Sequence, residues 1–441
     1  MATEWRHDSR VVCAGRATSA LIGCCVIASA NAQQATPTEL QLGVRSSIGV
    51  SDNVARSSTD EVSDVIAGIG FVGSWHKPEG RLRGQADFDV AYYSYLDDTF
   101  DDRVLGGLSA FAEYDLIVDR LSWMVRDNFG QTEVDPFLAA NPGNVENVNY
   151  FTTGPDLTLQ FGPRTYALIY GRYSNLAYET TQSDNERLEG GLSLRRDLSE
   201  TTTVSLNGSQ ERVEYKYIPP GSSFDRQEAY VGLNFERQRT TLELNGGVTW
   251  LHDRGETFDG PLWRVSLTRR IGAYSSLTLY GGEEFSDAGD VFRFGQDVGA
   301  GGLDNPDNVF ANPDPFERQY VALSWRTEKE RTSFGVSANW EDESYETQTQ
   351  FDRERYGLRA DATHALTQRT QLTASLYGTR QDYREGFEED EWRFDLIYGW
   401  QVAQPLYIDF TYRRFFREAS NSSGTAIENM LFVSLTYNFA Q

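Results

Sequence analysis

The chain ends in MLFVSLTYNFAQ, residues 430–441. Here Leu431, Val433, Leu435, Tyr437 and Phe439 alternate with the polar Ser434, Thr436 and Asn438. A period of two marks a β-strand with one apolar face. On an open edge strand in water, so clean a face would invite aggregation. What covers that face decides the fold.

The same pattern recurs from Leu40 onward. Leu82, Gly84, Ala86, Phe88, Val90 and Tyr92 share one face of a strand, against Arg83, Gln85, Asp87 and Asp89 on the other. Tyr356, Leu358, Ala360 and Ala362 oppose Arg355, Arg359 and Asp361. Trp392, Phe394, Leu396, Tyr398 and Trp400 oppose Arg393 and Asp395, and Leu406, Ile408, Phe410 and Tyr412 oppose Asp409 and Arg413. A soluble sandwich also alternates, but globular strands average about five or six residues, whereas these runs reach roughly 11 to 15. The connectors alternate too. Short turns such as KPEG (77–80), GPR (162–164) and TQRT (367–370) take turns with longer, mostly acidic stretches such as LDDTFDDR (96–103), HDRGETFDG (252–260) and REGFEEDE (384–391). Short turns on one side and long loops on the other describe a membrane barrel.

The expectation is therefore an all-β chain: one transmembrane, antiparallel, up-and-down β-barrel of about 20 strands (roughly 18 to 22). Short turns face the periplasm and long acidic loops face outward. Lipid covers the apolar face, and pairing of the last strand with the first removes both edges. Pro155 predicts a bulge, because it withholds a ladder donor. The run at 165–179 is apolar on both faces, which a simple lipid-facing strand does not explain.

The first 32 residues read as a secretory leader. Arg6, Arg10 and Arg16 precede the apolar ATSALIGCCVIA (17–28), and Ala30-Asn31-Ala32 forms a small-residue cleavage site, leaving 33–441 as the barrel. A rival is the lipobox-like LIGC (21–24), which would acylate Cys24. Cleavage after Ala32 removes Cys13, Cys24 and Cys25, all the cysteines there are, and leaves 37 basic and 63 acidic side chains. A surface so acidic excludes nucleic acid as a partner.

Little in the chain suggests chemistry. With His7 in the leader, His76, His252 and His364 remain, and they form no Ser/His/acid set. The stretch GGLDNPDNVFANPD (301–314) spaces oxygen ligands as calcium sites do, but lacks the terminal bidentate Glu. No enzyme, cofactor or metal is expected. The expected lumen-facing set is Arg83, Asp87, Asp89, Arg355, Arg359, Asp361, Arg393, Asp395, Asp409 and Arg413. Such a wall holds water, ions or a hydrated polymer, or fills a narrow lumen with ion pairs. A barrel this wide is hard to fill with side chains alone, which favours a solvated lumen.

The segment 40–98, with Asp52-Asn53, Asp60-Glu61, the strand from Val65 to Trp75 and Tyr92-Tyr93-Tyr95, resembles the opening of the outer-membrane β-barrel family associated with exopolysaccharide and exosortase (PEP-CTERM) gene clusters. The last strand, through Leu431, Val433, Leu435, Tyr437 and Phe439, resembles the signal read by the outer-membrane assembly machinery, with two residues after the Phe as a departure. The resemblance covers about 60 residues closely and the rest in architecture. It implies an outer-membrane conduit or porin in exopolysaccharide export, with lipid, the assembly machinery, polysaccharide and periplasmic export components as partners. The alternatives are a general diffusion porin for small solutes and a structural or adhesive barrel without a pore. The longest connector, 286–315, is expected to fold inward, narrow the lumen and favour cations through its acids.

Overall fold

The computed structural model describes residues 39–217, 223–295, 310–421 and 424–440; residues 1–32, expected to be a leader, lie outside them. The elements are β1 (Glu39–Ser51), β2 (Asp64–Lys77), β3 (Leu82–Tyr95), β4 (Arg103–Ile117), β5 (Leu121–Glu133), β6 (Val145–Gly162), β7 (Thr165–Tyr178), β8 (Asn185–Ser199), β9 (Thr202–Tyr215) and β10 (Phe224–Arg237). They continue as β11 (Thr240–Asp253), β12 (Glu256–Ile271), β13 (Ser275–Ser286), the helix α1 (Ala288–Gly295), β14 (Phe316–Lys329), β15 (Thr332–Tyr345), β16 (Arg353–Ala365), β17 (Thr370–Tyr383), β18 (Glu388–Ala403), β19 (Leu406–Ala419) and β20 (Thr425–Ala440).

Each strand pairs antiparallel with its neighbours in the chain, and β20 pairs with β1 from Ser51↔Met430 to Leu42↔Ala440. The sheet closes into an all-β barrel of 20 strands, so the apolar last strand has no open edge. Near the end of this seam the register shifts. Gly43 faces Asn438 while Leu42 faces Ala440, which leaves Phe439 as the extra residue of a bulge.

Closure gives every strand an inside and an outside. Ile48, Ile69, Phe71, Leu188, Leu206, Val231, Leu323, Phe410 and Leu431 are all exposed, while side chains at the alternate positions are buried or half-buried. Such an apolar outer belt on a soluble protein would far exceed the patches that monomers in water tolerate.

The connectors alternate in length, with two corrections. The stretch 252–260 is a tight hairpin and not a long loop: β11 and β12 pair out to Asp253↔Glu256, and Arg254-Gly255 turns the chain with φ of 50° and 87°. This is the positive-φ pair that a two-residue hairpin demands. Likewise β18 begins at Glu388, so the acids of 384–391 lie mostly on a strand. Both hairpins carry polar residues beyond the apolar belt, where alternation no longer has to sort lipid from lumen. Pro155 makes no bulge. The β6–β7 register is the same on either side of it, and the shift falls later, between Gln160 and Gly162. Gly154 lets the two strands come close there, since a Cβ on it would lie 1.9 Å from the Gly171 carbonyl oxygen.

The buried apolar residues do not form one central core. Ile66 and Tyr95, Tyr150 and Leu176, Val213, Phe224 and Leu251, and Phe316 and Tyr345 all sit near the long-loop ends of their strands. The short-turn end has no comparable cluster among the described residues.

Candidate functional site

All ten charged residues expected to face the lumen lie on the side of their strands opposite the exposed apolar residues. Arg83 on β3 donates to Asp115 of β4 at 2.9 Å and lies 3.2 Å from Glu113. Arg45 of β1 reaches past β2 to Asp89 of β3, with Nη1 donating to Oδ2 at 2.5 Å. Asp87 and Asp409 are half-buried on the same side. On the far wall, Arg355 pairs with Glu341 at 2.5 Å, and Asp361 is 3.9 Å from Arg326. Arg393 and Arg413 both hold Asp395, at 3.1 and 2.7 Å. The guanidinium groups of Arg359 and Arg393 lie 4.8 and 4.1 Å from the Tyr377 ring. Of the set, Arg359, Arg393, Asp395 and Arg413 are linked through Asp395 and the Tyr377 ring, while Arg83, Asp89, Arg355 and Asp361 belong to separate pairs.

The inner wall continues through residues outside that set. Arg264 bridges Glu228 at 2.7 Å and also holds Glu284. Arg353 pairs with Glu343 at 2.8 Å, and Arg172 with Asp156 at 2.6 Å. Opposite charges on neighbouring strands face each other repeatedly, so the wall is highly charged yet locally balanced.

The long-loop end of the barrel is filled. Asp287, which follows β13, receives two hydrogen bonds from Arg187 of β8, at 2.9 and 2.5 Å. Its carboxylate also accepts from the Gly289 amide at 2.8 Å, which starts α1 in the manner of an N-cap. Asp290 in the first turn of α1 accepts from Arg226 of β10 at 2.6 Å, and Arg293 lies 3.1 Å from it. Burial alone would raise the Asp290 pKa. Arg226, Arg293 and Arg187 outweigh that and hold the carboxyl well below the usual carboxylate range. Phe292 packs into Val148, Tyr150 and Leu176 of β6 and β7, and Arg293 lies over the Tyr150 ring. Where the chain returns, Phe310 and Phe316 join Tyr345 and Phe351. Residues 296–309, including most of the calcium-like stretch 301–314, lie outside the described residues.

The long connector therefore turns into the barrel, as its length suggested. Its described acids do not form an acidic ring, however. Asp287 and Asp290, with Glu211 of β9, are matched by Arg187, Arg226 and Arg293, so this part of the narrowing carries balanced charge. Besides the connector's length, the sequence held one more trace of the arrangement. The second apolar face at 165–179 includes Leu176, the inward residue on which Phe292 rests.

Chemically, the arrangement offers paired ions and tyrosine hydroxyls along a wall. Among the described residues no group of three His, Cys, Asp or Glu is placed to hold a metal.

No protein-family profile matches the chain. No curated protein sequence matches it either. Among solved structures, similar ones include the siderophore receptor PirA from Pseudomonas aeruginosa (13% identity, 92% of this chain and 81% of that one, TM-score 0.45). PirA from Acinetobacter baumannii is similar at 8% identity over 92% and 81%, with a TM-score of 0.48. Pseudomonas aeruginosa OccK2 (OpdF), crystallised with glucuronate, is similar at 13% identity over 91% and 96%, with a TM-score of 0.40.

Proposed function

We propose that the protein is an outer-membrane conduit whose charged inner wall carries hydrated polar cargo, and that this cargo is exopolysaccharide on its way out of the cell. The observation behind the conduit is the closed 20-strand sheet with an apolar outer belt and an ion-paired inner wall. A bilayer satisfies that belt, and closure leaves no backbone group unpaired in lipid. The polymer assignment rests on the resemblance of residues 40–98 and on nothing in the geometry. The test is planar-bilayer recording of the refolded barrel with and without candidate oligosaccharides. Conductance that oligosaccharide blocks supports both parts; conductance indifferent to it removes the polymer.

A second reading, passage of small solutes, is favoured by the filled long-loop end. Connectors pinned by buried ion pairs leave less room for a chain of sugars than an open barrel would. Uptake of small sugars in liposome-swelling assays, with no effect of long oligosaccharides, would select it. A barrel that never conducts would be structural or adhesive.

A further inference from the structure

The two connectors that fill the mouth are fixed in different ways. The α1 segment is held by the Arg187–Asp287 pair, both partners 1% exposed, and by rings sealed among strands. The connector between β5 and β6, residues 134–144, is built otherwise. It is a small folded unit of its own. The Asn144 side chain donates to the carbonyls of Asp135, Leu138 and Ala139, and its oxygen accepts from the Asp135 amide at 3.0 Å. Asp135 accepts from the Phe137 amide, and Asn141 from the Gly143 amide. Val134 and Asn144 close the base with a backbone bond of 3.0 Å.

One side of this unit rests on its neighbours. Arg56 donates to the Ala140 carbonyl, Asn141 donates to that of Ala55 at 2.9 Å, and Ala140 packs on Leu105 and Val145. The tip reaches the other side of the barrel. The Phe137 ring lies 5.1 Å from Tyr383, 5.2 Å from Phe387 and 6.0 Å from Phe351, stacked on the last. Its carbonyl accepts from Asn421 at 2.9 Å and Arg417 at 3.3 Å. Counting back from β5 through β1 and β20, β17 is the eighth strand, so the contact crosses the mouth. Phe137 is only half-buried, and Leu138 beside it is exposed.

We infer that residues 134–144 form a detachable strap across the mouth, hinged on the β1–β6 side and fastened by Phe137. Release of that one ring, with its carbonyl, frees the tip while the folded unit and its hinge contacts stay intact. The α1 segment then stays put while the strap sets how wide the mouth stands. This rests on the conduit reading, and the test separates the two.

The experiment is single-channel recording in planar bilayers of the full chain, Phe137→Ala and Asn421→Ala. Retention of heat-modifiable gel mobility shows that each variant still closes its barrel. The expected result is a mean conductance or open time raised by about twofold or more in Phe137→Ala, and a smaller rise in Asn421→Ala, which leaves the ring in place. A silent wild type beside a conducting Phe137→Ala supports the strap equally. A conducting wild type with both variants identical to it overturns the strap and leaves the conduit standing. Silence in all three overturns the conduit and the strap together.

Discussion

Arg187 is 1% exposed and has Asp287 against two of its nitrogens. Removing one partner of such a pair leaves a buried, uncompensated charge, at a cost of about 3–5 kcal/mol. Arg187→Met should therefore lower the unfolding free energy of the refolded barrel, measured by urea titration in detergent micelles, by an amount in that range. Arg187→Met combined with Asp287→Asn should recover part of the loss, because the Asp287 charge is then no longer stranded and Asn keeps the cap on Gly289; a double variant no better than the single one would contradict this. Gly289→Ala should behave as a milder form of the same change, since its Cβ would meet Arg187 Nη2 at 2.3 Å. The neighbouring Asp290 fixes the sign of a pH effect. Its folded pKa is depressed by Arg226, Arg293 and Arg187 against the effect of burial. The stability it contributes is present above its unfolded pKa of about 3.9. It is lost only as pH falls through the folded value, below the usual carboxylate range. Urea midpoints should thus still differ between wild type and Asp290→Asn at pH 5, and converge only in stronger acid. Convergence already at pH 5 would count against the depressed pKa.

At the scale of the strand, β20 carries two separate demands. Its outward Leu431, Val433, Leu435, Tyr437 and Phe439 need lipid, and its backbone needs β1 and β19. Phe439 sits outward at the bulge and matches the expected assembly signal. Phe439→Ala should reduce the amount of protein in outer-membrane fractions far more than Asp101→Ala, a change in an exposed loop; equal amounts would sink the signal reading. The strands were legible because lipid outside and charge inside write a period of two into them, as in Arg393 and Asp395 against Trp392 and Phe394. That code holds only within the belt. Beyond it, acids at 252–260 and 384–391 read as loop although they continue the ladder. Pro155 misled for another reason: the carbonyl of Pro155 is engaged by Arg172 at 2.9 Å, and the strand continues without slipping. The inward face was readable from alternation, but not its pairings. Arg187 and Asp287 lie 100 residues apart, and nothing local announces that they meet. Leu176 and the length of the 286–315 connector were the signs the sequence carried.

For the whole molecule, the seam between β1 and β20 is ordinary antiparallel ladder, indistinguishable in kind from the other nineteen pairings. A permuted chain that joins the residues at Glu39 and Ala440 by a short linker and opens at the Gln404-Pro405 turn should therefore refold in detergent. Heat-modifiable mobility and circular dichroism would show it. In cells the same permutant should fail to reach the outer membrane, because β20 is no longer last. Success in both settings would remove the terminal strand as a signal, and failure in detergent would mean that the seam is not self-sufficient. The seam also governs time. Gly43 and Asn438 become partners although nearly the whole chain separates them. The entropic cost of closing so long a loop grows only slowly with its length, but contacts of such separation come late. Until β20 arrives, β1 keeps a bare row of amides and carbonyls, and every finished strand shows its greasy side to water. We therefore expect an escort to cover that side of the growing chain from its first hairpin to its last. The ring that protects the finished protein from sticking to itself leaves its unfinished form exposed for as long as closure takes.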